Sequence, residues 1–317
     1  LMHVCVTGAT GFVGASLVDR LERFGYQVTA VVRNRPAQGG ESSAIHWVER
    51  DLADDSQPFD FLQGVEALVH LAARAHVIRE RNVDPLQEFQ RVNVNATCAL
   101  AEAAVAAGVK RIIFVSSIGV HGAITEKALS ITEDSPVIPS EPYARSKWEA
   151  EEQLQEISLR SELDVVILRP ALVAGAGAPG NLARLANLVR RGSPLPVPLR
   201  DNARSFVSLN NLSSILIHCL DHPGATGKTF VVADRRWAST REVMQWIAEG
   251  ADARLHTIPL PDRLLRIAAG LAGKSQLYGK LYGDLRVNAT RIHTELGWEP
   301  EESLSDAVRA LGKASRA

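Results

Sequence analysis

The chain has 317 residues, 46% of them hydrophobic, and a formal net charge of −1. That is enough for a large core, or for a core plus a smaller lobe, and so even a charge balance argues against nucleic acid as a main partner. Cys5, Cys98 and Cys219 form no CxxC pair, His70, His76, His121 and His218 have no metal spacing, and no run of about 18 apolar residues occurs, so a cytoplasmic protein with no structural metal and no membrane insertion is expected.

Residues 2–7 (MHVCVT) are apolar and β-branched, too few for a globular helix, and read as a buried strand that leaves no room for a signal peptide. Gly8, Gly11 and Gly14 follow, with Thr10, Phe12 and Val13 between them, and a helix pattern covers 12–24. After a strand, a residue without Cβ lets the chain turn tightly. The helix N-terminus then offers free N–H groups and a positive dipole end to a pyrophosphate. A plain glycine-rich turn is the alternative. Further strands are expected at 27–32, 45–49, 67–72, 109–116 and 165–168, with helices at 54–62, 85–107 and 143–161 between them and an exposed loop at 33–43. This alternation predicts an α/β fold, a Rossmann-type doubly wound parallel sheet, over residues 1–170.

After Pro170 the pattern loosens. Residues 174–181 (AGAGAPGN) read as irregular and 192–198 as a proline-rich turn. Helices are expected at 181–191, 210–220, 240–250, 261–272 and 302–312, and strands at 204–208 and 229–232, with segments about 201–234 returning to the first domain. Segments 171–200 and 235–317 are assigned to a smaller substrate lobe, with a site between the two bodies. Within that lobe, 264–272 (LLRIAAGLA) reads as a packed helix and not as a membrane anchor.

The second strand ends at Val32, followed by Arg33, Asn34 and Arg35, with no acid to grip a ribose 2′-hydroxyl. Guanidinium groups suit a 2′-phosphate, so NADP(H) is preferred, with NAD(H) possible and solvated surface arginines as the alternative. Asp51 is placed to accept from an adenine amino group, Leu52 to lie against the ring, and Leu71, Ala72 and Ala73 to let the cofactor approach.

The chemistry is carried by Ser117, Tyr143 and Lys147. Ser117 lies just past the fifth strand, at the carboxyl edge where doubly wound sheets hold ligands. Tyr143 and Lys147 stand at i,i+4, one turn apart on one helix face. A cationic neighbour is expected to lower the phenol's pKa, so that Tyr143 exchanges a proton with a carbinol or carbonyl oxygen while hydride moves to or from a nicotinamide.

GATGFVG (8–14), DL (51–52), HLAA (70–73), NVNAT (93–97), VSSIGVHG (115–122), YARSK (143–147) and LRPALVAG (168–175) together resemble the extended short-chain dehydrogenase/reductases, the epimerase/dehydratase group acting on nucleotide sugars. The resemblance implies Ser117, not Ser116, as catalytic hydroxyl, Tyr143 as proton donor or acceptor, and Lys147 as a residue that also binds the nicotinamide ribose. It implies a homodimer through helices near 86–106 and 143–158, and a second lobe that holds a UDP-sugar. Asn93, Ser116 and Pro170 complete the candidate cofactor contacts. The candidate substrate contacts are Arg74, His121, Asn181, Arg204 and Arg286, with a simple helix cap as the alternative for Asn181. The chain departs from the family pattern at His121, usually tyrosine, at Asn210-Asn211, usually Val-Asp, and at Ala174, where tyrosine is frequent.

Dehydratases of this family carry an acidic pair where this chain has Ile118-Gly119, which argues against a 4,6-dehydratase. GAPGN (177–181), GSPLP (192–196) and RSFVSLNN (204–211) resemble a bacterial subgroup acting on UDP-N-acetylamino sugars in cell-surface polysaccharide synthesis. With Arg33 and Arg35, the expectation is an NADPH-dependent C4 ketoreductase of a UDP-4-keto-6-deoxy-N-acetylhexosamine, with Tyr143 as proton donor. The alternatives are a 4-epimerase of UDP-hexoses or UDP-N-acetylhexosamines with tightly bound NAD, and a non-catalytic dinucleotide sensor or scaffold.

Overall fold

A computed structural model describes residues 2–35, 44–54, 56–75, 84–122, 125 and 129–314. Most of the expected loop at 33–43, part of the loops at 122–142, and His76 lie outside the described residues. In chain order the strands are β1 His3–Thr7, β2 Gln27–Val32, β3 Ile45–Glu49, β4 Ala67–His70, β5 Arg111–Val115, β6 Asp164–Pro170, β7 Leu172–Ala174, β8 Leu195–Pro198, β9 Phe206–Ser208, β10 Thr229–Val232 and β11 Thr257–Leu260. The α-helices are α1 Phe12–Arg23, α2 Pro85–Phe89, α3 Ala96–Ala106, α4 Pro142–Leu159, α5 Gly180–Arg190, α6 Leu209–His218, α7 Thr240–Ala251, α8 Asp262–Leu271, α9 Ser275–Tyr282, α10 Thr290–Leu296 and α11 Leu304–Ala314.

Seven strands form one parallel sheet in the order β10-β6-β5-β4-β1-β2-β3. Both faces are covered, which is why the strands read as continuous apolar runs. Val4, Val6, Val28 and Ala30 pack in one core with α1, α6 and α10. Cys5, Val31, Ile112 and Phe114 turn to the opposite core, under α3 and α4. A third core, built from α5, α7, α11 and β8, holds the smaller lobe together. The order reverses between β1 and β4, and a groove opens there beyond the strands' carboxyl ends.

Several expectations need correction. The helix expected at 54–62 is a single 3₁₀ turn, Asp60–Leu62. The helix at 85–107 is interrupted by a π-helical stretch, Gln90–Asn95. The irregular stretch 174–181 is narrower, since Ala174 closes β7 and Gly180 opens α5. The proline-rich turn contains β8, paired in parallel with β11 in a two-stranded sheet. A strand with prolines at alternate positions is tolerated there because it has only one partner. Residues 264–272 do form a helix, but only Leu265 of α8 is buried, so it is not the packed element expected.

Candidate active site

Thr7 ends β1, and the chain turns at Gly8 with φ +68°. A Cβ on Gly8 would lie 2.8 Å from Ala72 N, and one on Gly14 would lie 2.1 Å from Gly8 O. The first glycine lets the turn press against the end of β4, and the other lets α1 sit directly on the turn. Among the described residues no side chain caps α1, and no acid stands in its first turn, so the positive end of its dipole is left to the groove. His70 anchors the floor: Nδ1 meets Thr7 Oγ1 at 2.6 Å and Nε2 meets Thr97 Oγ1 at 2.9 Å. Burial, with Lys147 nearby, pulls its pKa down to about 3, so the ring is neutral.

A cavity of about 590 Å³ follows the groove into the cleft. Gly8, Gly11, Phe12, Val13, Gly14, Leu71, Ala73, Ser116, Ser117, Tyr143, Lys147 and Pro170 line one side, and Asn181, Arg204, Thr240, Lys280 and Leu281 the other. The three catalytic candidates therefore share one cavity. Ser117 is the N-cap of a 3₁₀ turn, Ile118–His121, and its Oγ accepts from Gly119 N at 3.1 Å. Accepting that bond leaves the hydroxyl hydrogen available to a ligand.

Lys147 is 2% exposed, with Nζ 4.3 Å from the Phe114 ring centroid. Burial pulls its ammonium down to about 7, opposed by Glu151 one turn on. Burial also pushes the Tyr143 phenol up to about 12. The expected acidification of Tyr143 by Lys147 is thus not what the protein's own groups produce: desolvation dominates the phenol. Glu151 is in turn paired with Arg169 of β6, whose Nη1 donates to His121 Nε2 at 2.9 Å. His121 Nδ1 donates to Pro136 O at 3.1 Å, since a carbonyl only accepts. Both ring nitrogens are engaged and burial lowers the ring's pKa.

The remaining candidates divide. Ser116 Oγ is buried beside the cavity and has no hydrogen-bond partner among the described residues. That orphan hydroxyl, the uncapped helix and the close-approach glycines fit a dinucleotide. Asn93 is committed elsewhere, with Oδ1 accepting from Arg74 N at 2.8 Å and Nδ2 donating to Ser146 Oγ at 2.9 Å, so it positions the strand end and does not line the cavity. Arg74, bound to Glu88 at 3.0 Å, and His121 do not line the cavity either. Arg286 is also outside it, with its guanidinium carbon 5.1 Å from the Trp237 ring centroid. Thr10 and Ala72 shape the turn without lining the cavity, Asp51 is exposed with Oδ1 accepting from Ala53 N at 3.0 Å, and Leu52 is buried in the core beneath. Arg204 does face the cavity while Nη1 donates to Gly283 O at 2.8 Å, and burial draws its pKa down to about 10. Among the lining residues that escaped sequence reasoning are Glu141 and Lys280, joined at 2.7 Å across the cleft. Nothing in local spacing links positions 139 residues apart.

Residues 4–233 match the model of the NAD dependent epimerase/dehydratase family. The chain is 35% identical, over 98% of its length and 94% of the relative's, to a UDP-glucose 4-epimerase of Vibrio cholerae. It is 29% identical, over 97% and 96% respectively, to a UDP-glucose 4-epimerase of Mycolicibacterium smegmatis. Among solved structures it resembles MoeE5 in complex with UDP-glucose and NAD, with a TM-score of 0.79, 25% identity and coverage of 99% and 98% of the two chains. Two expectations fall with these findings. NADP(H) preference is overturned by NAD in that neighbour and in the family's description. The structural reason is that Val32 pairs with Glu49, whose Oε2 accepts from Arg35 N at 3.2 Å, so a carboxylate from β3 stands beside the basic tip. The NADPH-dependent ketoreductase, which rested on that tip, falls too, because the two relatives named above are UDP-glucose 4-epimerases and the solved neighbour carries NAD. The chain belongs to the NAD dependent epimerase/dehydratase family.

Proposed function

We propose that this member of the epimerase/dehydratase family is an NAD-dependent 4-epimerase of UDP-hexoses or UDP-N-acetylhexosamines. One observation carries the reading: Ser117, Tyr143 and Lys147 share a cavity with the glycine turn on one side and with Asn181 and Arg204 on the other. NAD held at Gly8–Gly14 and Ser116 would supply a hydride acceptor that returns the hydride to the opposite face of C4. The chain's own groups handle the proton and the orientation. Once the positive nicotinamide ring and a protonated Lys147 offset the burial that raises its phenol, Tyr143 as tyrosinate would take the proton from the C4 oxygen and give it back. Ser117 donates its free O–H to the same oxygen. Lys147, whose Nζ lies over the Phe114 ring, would in its protonated form bring positive charge to the phenol one turn away and would hold the nicotinamide ribose. Arg204, and the N-terminus of α5 with Asn181, hold the diphosphate. Balanced chemistry removes H⁻ and H⁺ from C4–OH and restores both, with no net redox change.

The reading includes a cytoplasmic homodimer through α3 and α4. It is tested by denaturing the purified protein, identifying the released nucleotide, and incubating intact protein with UDP-glucose or UDP-N-acetylglucosamine without added nicotinamide. Release of NAD and formation of the C4 epimer support it. A requirement for stoichiometric NADPH would remove it, and a monomer by light scattering would remove the dimer alone.

A further inference from the structure

Helix α8 turns its apolar stripe outward. Leu264, Ile267, Ala268 and Leu271 recur at i, i+3, i+4 and i+7, the spacing that puts side chains on one face. In a globular helix that face points to the core. Here Leu264 is 55%, Ile267 53% and Leu271 87% exposed, while Leu265 is the side chain that packs inward. Leu277 on α9, Ile258 on β11 and Leu199 just after β8 add exposed aliphatic surface in the same lobe. Such an accumulation differs from the single surface leucines of ordinary proteins.

Charge says what covers it. Residues 262–274, α8 and the turn after it, contain three cations, Arg263, Arg266 and Lys274, and one anion, Asp262, in a chain of net charge −1. That anion is already engaged by Arg266 at 3.5 Å and by the Tyr278 hydroxyl. A second copy docking symmetrically would bring one face whose charges are mainly cationic onto another of the same sign. A negatively charged lipid surface meets both the apolar stripe and the surrounding cations.

We infer that α8 is an interfacial anchor that lays Leu264, Ile267 and Leu271 on an anionic phospholipid bilayer. The helix lies on the surface and does not span it: 10 residues reach only about 15 Å. α8 packs on α9, and α9 carries Lys280 and Leu281 of the cavity wall. The anchor therefore holds the cleft close to the bilayer. It does not depend on the identity of the sugar.

The test is vesicle flotation of the full chain with phosphatidylcholine alone and with phosphatidylglycerol–phosphatidylcholine mixtures. The protein is expected to float with the anionic vesicles and to be released by salt at about 0.5 M. Leu264→Gln/Ile267→Gln/Leu271→Gln, and separately Arg263→Gln/Arg266→Gln, are expected to reduce the bound fraction about tenfold with turnover and melting midpoint unchanged. Failure of the parent chain to float, or flotation of the triple variant at parental level, overturns the inference. A drop in the triple variant's oligomeric mass without lipid also overturns it, by showing that a second copy covers the face. Each of these readouts is independent of the sugar assay.

Discussion

Arg169 places its guanidinium on Glu151 inside the protein, with Nε 3.1 Å from both carboxylate oxygens, and Glu151 is 0% exposed. The pair joins β6 to the helix that carries Tyr143 and Lys147, and through His121 it reaches the turn that carries Ser117. Removing one partner leaves the other charge buried. Glu151→Gln is expected to lower unfolding free energy by about 3–5 kcal/mol in urea titration, and Glu151→Leu/Arg169→Met to recover most of that. A loss below about 1 kcal/mol for the single change would contradict the pair's structural role.

The His70 ring supplies an acid limb to stability. Its folded pKa of about 3 lies below the ordinary value, so the unfolded chain binds the proton first as pH falls. The stability it contributes is complete above about pH 6.5 and is lost progressively toward pH 3. His70→Gln is expected to flatten the dependence of unfolding free energy on pH across that window. An unchanged slope would show that His70 is not a source of it.

Lys147 has the same sign over a higher window. With its folded pKa drawn down to about 7 from 10.5, the buried ammonium weakens the fold below pH 7, and that cost fades as pH rises to 10.5. Lys147→Met is expected to stabilise the protein more at pH 6.5 than at pH 9.5, while abolishing turnover. Equal effects at the two pH values, read by urea titration, would contradict this.

Gly14 has no room for a side chain, because its Cβ would fall 2.1 Å from Gly8 O. Gly14→Ala should push α1 off the turn, costing about 1–3 kcal/mol and most of the co-purifying dinucleotide. Retention of parental nucleotide content would mean that the turn is not the pyrophosphate site.

Much of this was legible because it is local. The strand, the glycine spacing and the start of α1 sit within the first 23 residues, and Tyr143 and Lys147 within one turn of helix. What escaped depends on elements distant in sequence. The basic tip at Arg33 and Arg35 was weighed without Glu49, which the β2–β3 register brings beside it. The spacing of Tyr143 and Lys147 gave their proximity, but their burial depends on Phe114 and neighbouring strands, and burial sets both pKa values. Asn93 sat in a motif, yet the π-helical stretch aims it at Arg74 and Ser146. α8 shows an amphipathic pattern whose outward orientation no periodicity reveals.

The central claim is that one hydride leaves C4 and returns to it while Tyr143 carries the proton. UDP-glucose deuterated at C4, incubated with the purified protein and no added nicotinamide, tests this by mass and NMR analysis of the C4 epimer. The account predicts full retention of deuterium at C4 with the parent chain, and turnover lower by about 10²–10⁴-fold with Tyr143→Phe at unchanged NAD content. Washout of the deuterium into solvent, or parental turnover by the phenylalanine variant, would contradict it.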